Sequence, residues 1–271
     1  MRRGFYKKVL QELAAHELNL LPAAVNISTH KVSKYKSASG TVYYIKFSAG
    51  HYQDKIAHNL HPIIELMAYR IYELYGLNVP EDMFLVLNKA DDMLGLASQE
   101  ILGRSTVIDD LLGQKDAEAM FLPSVLMANY DVTGTYPIGA NIIKSPDKGL
   151  YVMDPGASMH FRAQGKEKEF GPEPYELDTM RDPQYPAGEV FGDLTDEDLA
   201  GDLKNQFEAV SIGEIIGAID ETVMEAKTKL AKFKNKEEAS QIQSKLASDT
   251  AMIKQNITKR HTSMLSSLRN F

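Results

Sequence analysis

Apolar positions in the first half of the chain follow two spacings, about 2 residues for strands and about 3.6 residues for helices. Residues 5–21 carry leucines at near-helical spacing and predict a short amphipathic helix, which Pro22 ends. Residues 23–50 predict a β-hairpin. Its turn is SASG at 37–40, and its second strand is TVYYIKF at 41–47, which is rich in residues that favour strands.

Apolar residues at helical spacing follow the hairpin. Residues 58–75 carry an apolar stripe, and Gly76 is a typical helix stop. MFLVLN at 83–88 and LGLASQEIL at 94–102 then predict two strands, and residues 116–130 predict a helix. This region therefore alternates helix and strand.

The second half of the chain is mainly helical, with one embedded hairpin. ANIIKS at 140–145 and GLYVMD at 149–154 predict its two strands, joined through SPDKG. Residues 162–200 are rich in Gly, Pro and charged residues and are typical of loops. Beyond residue 204 the pattern is helical, and the polar stretch 226–268 predicts one or two extended helices.

This order of elements predicts an α+β fold with a small antiparallel sheet in its N-terminal part and a mostly helical C-terminal part. A chain of 271 residues is long enough for one two-lobed domain or for two small domains. We place the boundary so that residues 1–103 form the N-terminal lobe with its leading helix. Residues 104–271 then form the helical C-terminal lobe.

Composition narrows the classes of function. The formal net charge of −7 argues against a general nucleic-acid-binding protein, because phosphate neutralisation needs a basic surface. The absence of cysteine excludes disulfides, thiolate metal sites and cysteine nucleophiles, and it is compatible with a reducing compartment. No secretory signal and no membrane-spanning stretch is recognisable, so we expect a soluble protein, either cytoplasmic or exported into a reducing compartment.

Lys46 and Glu65 are the first candidates for chemistry. Lys46 lies inside the strand TVYYIKF, and Glu65 lies beside the apolar stripe of the next helix. Taken singly, each is most simply a solvated charge, because strands and helices both present polar faces. As a pair they are typical of kinase folds, in which a strand lysine contacts the phosphates of ATP and a helix glutamate positions the lysine.

The second candidate cluster lies on the embedded hairpin. Asp131 begins a loop after the predicted helix, Asn141 starts the first strand, and Asp154 ends the second strand. The hairpin should therefore bring Asn141 and Asp154 close together, with Asp131 nearby. Phosphoryl transfer needs such a carboxylate for the acceptor hydroxyl and hard oxygen ligands for magnesium. The Pro155-Gly156 turn would direct Asp154 into the cleft.

These motifs resemble the atypical branch of the protein-kinase-like superfamily that includes HipA-type kinases and the phosphatidylinositol 3-/4-kinases. IKF resembles the strand with the nucleotide lysine, and IIELMAYRIYELYGLNVPEDMFLVL resembles the glutamate helix, its turn and the next strand. LASQEILG resembles the strand that enters the hinge between the lobes. ANYDV…NII resembles the catalytic loop, and VMDPG takes the place of Asp-Phe-Gly. The resemblance covers about residues 40–160 and implies a bilobal kinase-like fold.

The resemblance implies a set of roles. Lys46 would contact the ATP phosphates and pair with Glu65. Asp131 would be the catalytic aspartate, and Asn141 with Asp154 would hold Mg²⁺. The backbone that would bond to adenine belongs to the hinge residues Gln99, Glu100, Ile101 and Leu102.

The implied activity is transfer of phosphate from ATP, with Mg²⁺, to a hydroxyl, and a protein Ser or Thr is favoured over a lipid or a small molecule. The sequence departs from the family in the long loop between Asp131 and Asn141, in Val132 where a basic residue is usual, and in Pro155 where an aromatic residue is usual. Two alternatives therefore stay open. One is a kinase-fold binding or scaffolding protein with little catalysis, and the other is a nucleotidyl transferase on the same fold.

Overall fold

A computed structural model describes residues 19–20, 31–48, 54–135, 137–162 and 165–271. Most of the predicted leading helix and the start of the predicted first hairpin strand lie outside these residues. The prediction of a helix is wrong at Asn19–Leu20, which forms a short strand, β1. Its backbone pairs with a neighbouring strand, with Asn19 opposite Lys36, so pairing at the sheet edge overrides the helical spacing of the leucines.

An antiparallel sheet with strand order β1-β2-β3-β5-β4 forms the N-terminal part. The predicted SASG segment is the turn between β2 and β3, and Gly40 adopts a φ of 90° there. The strand β5 ends at Gln99, before the predicted residue 102. The Glu100 amide donates to the carbonyl of Val42, the first residue of β3, so no residue of β3 is left to pair with the chain beyond Glu100. The strands beyond β1 are β2 (Lys31–Lys36), β3 (Val42–Phe47), β4 (Met83–Asn88) and β5 (Met93–Gln99).

The helix α1, Lys55–Leu74, is the centre of the molecule. It begins before the predicted residue 58 because the Asp54 carboxylate accepts from the Ile56 amide at 2.8 Å and caps it. It ends at Leu74, and Gly76, the predicted stop, follows with a φ of 77°. The sheet and the C-terminal helices both pack against α1, and 15 of its 20 residues are buried.

A short second sheet carries the embedded hairpin. It has the order β6-β7-β8, in which β7 (Ile142–Ser145) pairs with β8 (Gly149–Val152) as the sequence predicted. The third strand, β6 (Arg104–Ser105), pairs with β7 and was not predicted. The hairpin is therefore anchored to the segment that leaves the N-terminal sheet.

The predicted helix 116–130 is wrong in extent, since two shorter helices replace it: α2 (Lys115–Glu118) and α3 (Phe121–Leu126). Helix α3 ends where Ala128 enters the left-handed region with a φ of 53°. The Ala128 amide donates to the Val125 carbonyl at 3.0 Å, and the Asn129 amide donates to the Ser124 carbonyl at 2.8 Å. This Schellman motif stops the helix before Asp131 and leaves Asp131 in a loop.

Short helices interrupt the region that the sequence assigned to loops, and long helices follow it. The two long helices match the prediction for the tail. Asp92 fixes the short connection between them, because its carboxylate accepts from the amides of Lys234 and Asn235 at 2.9 and 2.8 Å. A π-helical turn spans Leu199–Leu203. The remaining helices are α4 (Glu176–Thr179), α5 (Gly188–Phe191), α6 (Asp196–Asp198), α7 (Lys204–Glu208), α8 (Ile212–Leu230) and α9 (Lys236–Leu268).

Arg260 attaches α9 to the rest of the C-terminal part. Its side chain is fully buried and forms an ion pair with Glu176. The guanidinium also donates to the carbonyls of Val125 and Leu126 at 2.6 and 3.0 Å, and to that of Glu173 at 2.7 Å. One side chain therefore holds α9 against α3 and against the chain that leads into α4.

The predicted α+β architecture is confirmed, with a small antiparallel sheet first and a helical part after it. This is the element order that the resemblance in residues 40–160 implies. The division into residues 1–103 and 104–271 stays a prediction. None of the helices in the described part of the chain has the length and apolar content that crossing a bilayer requires.

Replacing Arg260 with Met should lower the free energy of unfolding by about 3–5 kcal/mol, because Glu176 would keep a buried charge without its partner. Urea denaturation followed by circular dichroism measures this. Lys259→Met is the matched control, since Lys259 is the exposed neighbour on the same helix and should change stability little. A loss below 1 kcal/mol for Arg260→Met would contradict the anchoring role.

Candidate active site

The hairpin brings Asn141 and Asp154 to the same end of the second sheet. Ile142 lies opposite Val152 in the strand register, and the Met153 amide donates to the Asn141 carbonyl at 2.8 Å. Asp154 follows immediately. The pairing continues one residue past the strands, so the two predicted magnesium ligands leave the hairpin side by side.

Asp154 adopts a left-handed backbone conformation, with φ 47° and ψ 53°. A non-glycine residue in this region carries about 1–2 kcal/mol of strain, and Asp tolerates it better than most residues. Pro155 then starts a 3₁₀ turn, Pro155–Ala157. The backbone strain therefore sits at the residue whose direction matters for the chemistry.

Lys46 joins the sheet, α1 and the hairpin. Its ammonium lies 3.0 Å from Glu65 Oε2 and also forms an ion pair with Asp154 Oδ1. The Lys46 and Glu65 side chains are 14% and 4% exposed, whereas that of Asp154 is 41% exposed. The Lys46–Glu65 pair is thus largely shielded from solvent, whereas the Asp154 carboxylate is exposed enough for a cation to reach it.

The charges of this cluster depend on each other. Burial by itself lowers the pKa of Lys46, but Asp154 and Glu65 outweigh it and raise that pKa above its ordinary value. Burial raises the pKa of the Glu65 carboxyl, and the Lys46 ammonium opposes the change. Lys46 is therefore charged at neutral pH, as contact with phosphates requires.

A polar stripe on α1 holds the Asp154 turn. His61, Glu65 and Tyr69 follow each other at intervals of four residues and share one helix face. The Tyr69 hydroxyl accepts from the Asp154 amide at 2.9 Å. His61 Nε2 lies 3.1 Å from the carbonyl oxygen of Gly156. The sequence analysis assigns no role to His61 and Tyr69, since their spacing from Glu65 shows a shared helix face but not what that face contacts.

Gly156 is required by this close approach. A Cβ atom there would lie 2.7 Å from His61 Nε2 and 3.2 Å from Glu65 Oε2. Any larger residue would push the turn away from α1. The Pro155-Gly156 pair of the sequence thus seats the turn against the helix as well as directing Asp154.

Asn141 connects the hairpin to Asp131. Its side-chain amide donates to the Asp131 carbonyl at 2.6 Å and to Asp131 Oδ2 at 3.2 Å. These bonds use the nitrogen of Asn141, so its Oδ1 is the atom left for a cation. Asn129, another residue of the predicted catalytic loop, accepts from the Asp131 amide and donates to Tyr72.

Asp131 has the environment of a proton acceptor. Burial raises its pKa to about 6, the Asn141 hydrogen bond opposes this, and the nearby Asp154 charge adds to it. Its Oδ1 is buried and has no hydrogen-bond partner among the described residues. A pocket of about 630 Å³ opens beside it, with Tyr130, Tyr175 and Tyr185 in its lining.

A lysine that we did not assign also lies in this pocket. Lys168 comes from the segment after Asp154, and its ammonium donates to the carbonyls of Ala128 and Ala157 at 2.6 and 2.7 Å. It also lies over the ring of Tyr130, 5.6 Å from the ring centre. The Gly-rich and charged pattern of residues 162–200 offered no signal for this placement.

The predicted hinge residues stand apart from the Lys46 cluster. Gln99, Glu100, Ile101 and Leu102 line a pocket of about 150 Å³ that contains none of the cluster's side chains. The amides of Gln99 and Glu100 already donate to Asp82 and Val42 at 2.9 Å each. Donors to adenine would therefore be limited to the Ile101 and Leu102 amides. Leu96 is the strand partner of Lys46, and Gln99 lies three residues further along β5. Gln99 is therefore ~10 Å from the position of Lys46 along the sheet.

The chemistry of the donors fits magnesium. The described residues contain no group of three or more His, Cys, Asp and Glu side chains arranged to hold a metal by themselves. Mg²⁺ is commonly held by one or two protein oxygen ligands together with substrate phosphates and water. Asn141 Oδ1 and the Asp154 carboxylate provide such a partial set.

Comparison with known proteins gives two solved structures of interest. No family model matches the chain, and no curated protein matches it. The chain is similar to a Helicobacter pylori proinflammatory kinase, CtkA, at 11% identity and a TM-score of 0.49, covering 94% of this chain and 96% of that one. It is similar to a MAP kinase of Leishmania major, LmaMPK10, at 15% identity and a TM-score of 0.29, covering 97% and 85%.

Replacing Tyr69 with Phe should speed hydrogen exchange at the Asp154 amide about tenfold, because that amide loses its acceptor while the packing stays the same. Hydrogen-exchange mass spectrometry over the peptide that contains Asp154 measures it. Tyr75→Phe is the matched control, since the Tyr75 hydroxyl, just past the end of α1, is buried without a hydrogen-bond partner among the described residues. Equal exchange in both variants would show that Tyr69 does not hold the turn.

Proposed function

We propose that the chain is an ATP- and Mg²⁺-dependent phosphotransferase that acts on a hydroxyl, with a protein Ser or Thr as the favoured acceptor. The supporting observation is the convergence of Lys46, Glu65 and Asp154 beside the Asn141–Asp131 pair. The membership of the HipA-type and phosphatidylinositol-kinase branch is part of the same proposal. It is supported by the motifs in residues 40–160.

Each residue would have one part in the transfer. Lys46, held by Glu65, would bind phosphate oxygens of ATP. Asp131 would orient the acceptor hydroxyl and take its proton while the hydroxyl oxygen forms a bond to the γ-phosphorus. The bond from that phosphorus to the β–γ bridging oxygen breaks, and ADP leaves. Magnesium held by Asn141 and Asp154 would neutralise phosphate charge.

The acceptor would enter through the pocket beside Asp131. Its volume of about 630 Å³ exceeds what a hydroxyl group alone needs, and three tyrosines line its walls. Such walls suit an amphipathic segment of peptide better than a bare polar metabolite. This supports a protein acceptor, whose hydroxyl the Asp131 carboxylate would meet in this pocket.

The departures in the catalytic loop favour one rival, a kinase-fold scaffold with little turnover. Val132 is buried and supplies no charge beside Asp131. Such a scaffold would bind MgATP without forming ADP. A nucleotidyl transferase would instead leave AMP on its target. Mass spectrometry of the acceptor therefore separates the three possibilities.

Replacing Asp154 with Asn should reduce phosphate transfer about a hundredfold or more while the fold persists, because Asn tolerates the left-handed backbone but removes the charge that binds the metal. The assay measures ADP release and phosphate added to casein, with ATP and Mg²⁺. Lys46→Met should give a similar loss through weaker ATP binding.

The control is Asp193→Asn, an exposed carboxylate that lines neither the pocket at the predicted hinge nor the pocket beside Asp131. It should retain the turnover of the unmodified chain. Normal transfer by Asp154→Asn would refute the assignment of the metal site. Stabilisation by MgATP without ADP formation would favour the scaffold, and an added AMP would favour nucleotidyl transfer.

A further inference from the structure

We propose that Lys168 is a positioning residue of this site, whose ammonium links the backbone before Asp131 to the backbone after Asp154. The inference rests on the proposed function and deepens it. It supplies the cation that the catalytic loop lacks, from a different segment of the chain.

Lys168 contacts one backbone carbonyl before Asp131 and one after Asp154. Ala128 precedes Asp131 by three residues, Ala157 follows Asp154 by three residues, and the Lys168 ammonium donates to the carbonyl of each. The Lys168 amide in turn donates to the His160 carbonyl at 2.7 Å, which fixes the origin of the side chain. A single half-buried ammonium thus holds the two loops that carry the catalytic aspartate and a metal ligand.

The two loops that Lys168 joins are strained. The described residues contain four non-glycine residues with positive φ, and three of them, Ala128, Asp154 and Met159, lie in these loops. Each carries about 1–2 kcal/mol of local strain, which persists only where the surroundings stabilise it. Charge-assisted hydrogen bonds to the adjacent carbonyls are a suitable source of that stabilisation.

Val132 explains why a cation is needed from elsewhere. Its side chain is 1% exposed and packs in the core, so it cannot interact with phosphate or with Asp131 by charge. Lys168 interacts electrostatically with Asp131 and lines the same pocket. Val132, next to the catalytic aspartate in sequence, therefore contributes to the core, and Lys168 supplies the positive charge near Asp131.

The charges around Lys168 define a test by pH. Burial lowers the pKa of Lys168 to about 8, Glu176 and Asp131 oppose this, and Arg162 and Arg260 add to it. These four residues are the charged groups with the largest effect on that pKa. Glu169 and Glu173 line the same pocket. The ammonium is present below this pKa and is lost as the pH rises through it. A positioning role through the ammonium would therefore fail at alkaline pH.

The experiment compares Lys168→Met, Lys168→Arg and Lys166→Met in the full chain, by ADP release and casein phosphorylation with MgATP from pH 6 to about 9.5. Lys168→Met should lower turnover about 10- to 100-fold, with the affinity for MgATP nearly unchanged, since two carbonyls lose a charged donor. Lys168→Arg should restore most of the turnover and should move the alkaline decline upward, because Arg stays charged. Lys166→Met, at an exposed position two residues away, should match the unmodified chain.

The outcomes separate the two proposals. An unmodified chain that makes no ADP and transfers no phosphate overturns the proposed function, and this inference with it. An active unmodified chain whose Lys168→Met variant keeps its turnover overturns only the inference. If Lys168→Met does not fold, Lys168→Arg decides: an alkaline decline unchanged from that of the unmodified chain counts against the ammonium.

Discussion

The ion pairs of the Lys46 ammonium with Glu65 and Asp154 are the interaction on which the rest of the structure depends. They connect the N-terminal sheet, the central helix and the end of the hairpin through one buried charge. Removing one partner from such a group is costly, because the remaining charge stays out of water. The relation between sheet and hairpin is therefore set by the same charges that the proposed chemistry uses.

Two further cations extend this arrangement into the helical part. Arg260 joins the C-terminal helix to the helix before the Asp131 loop, and Lys168 joins that loop to the turn after Asp154. Both donate mainly to backbone carbonyls, so they hold main-chain paths as well as pairing with acids. The long tail is consequently part of the frame around Asp131, and a disturbance of the tail would reach the site through α3.

Local patterns carried a large part of the site. The hairpin could be predicted because alternating apolar residues and turn residues are local signals. Its strand pairing alone places Asn141 close to Asp154. His61 and Tyr69 were legible only in retrospect, since four-residue spacing shows a shared face but not what that face meets. Lys168 carried no such signal, because a lysine in a charged loop is usually a solvated side chain.

The sequence by itself determined the central helix, the strands β3, β4 and β5, the hairpin, and the turn at Pro155-Gly156. Only the tertiary structure decided where the helix before Asp131 ends, which lysine faces that aspartate, and which hinge amides remain as donors. Propensity and periodicity act over a few residues. Helix ends, burial of charge and partners distant in the chain depend on packing between segments that lie far apart in sequence.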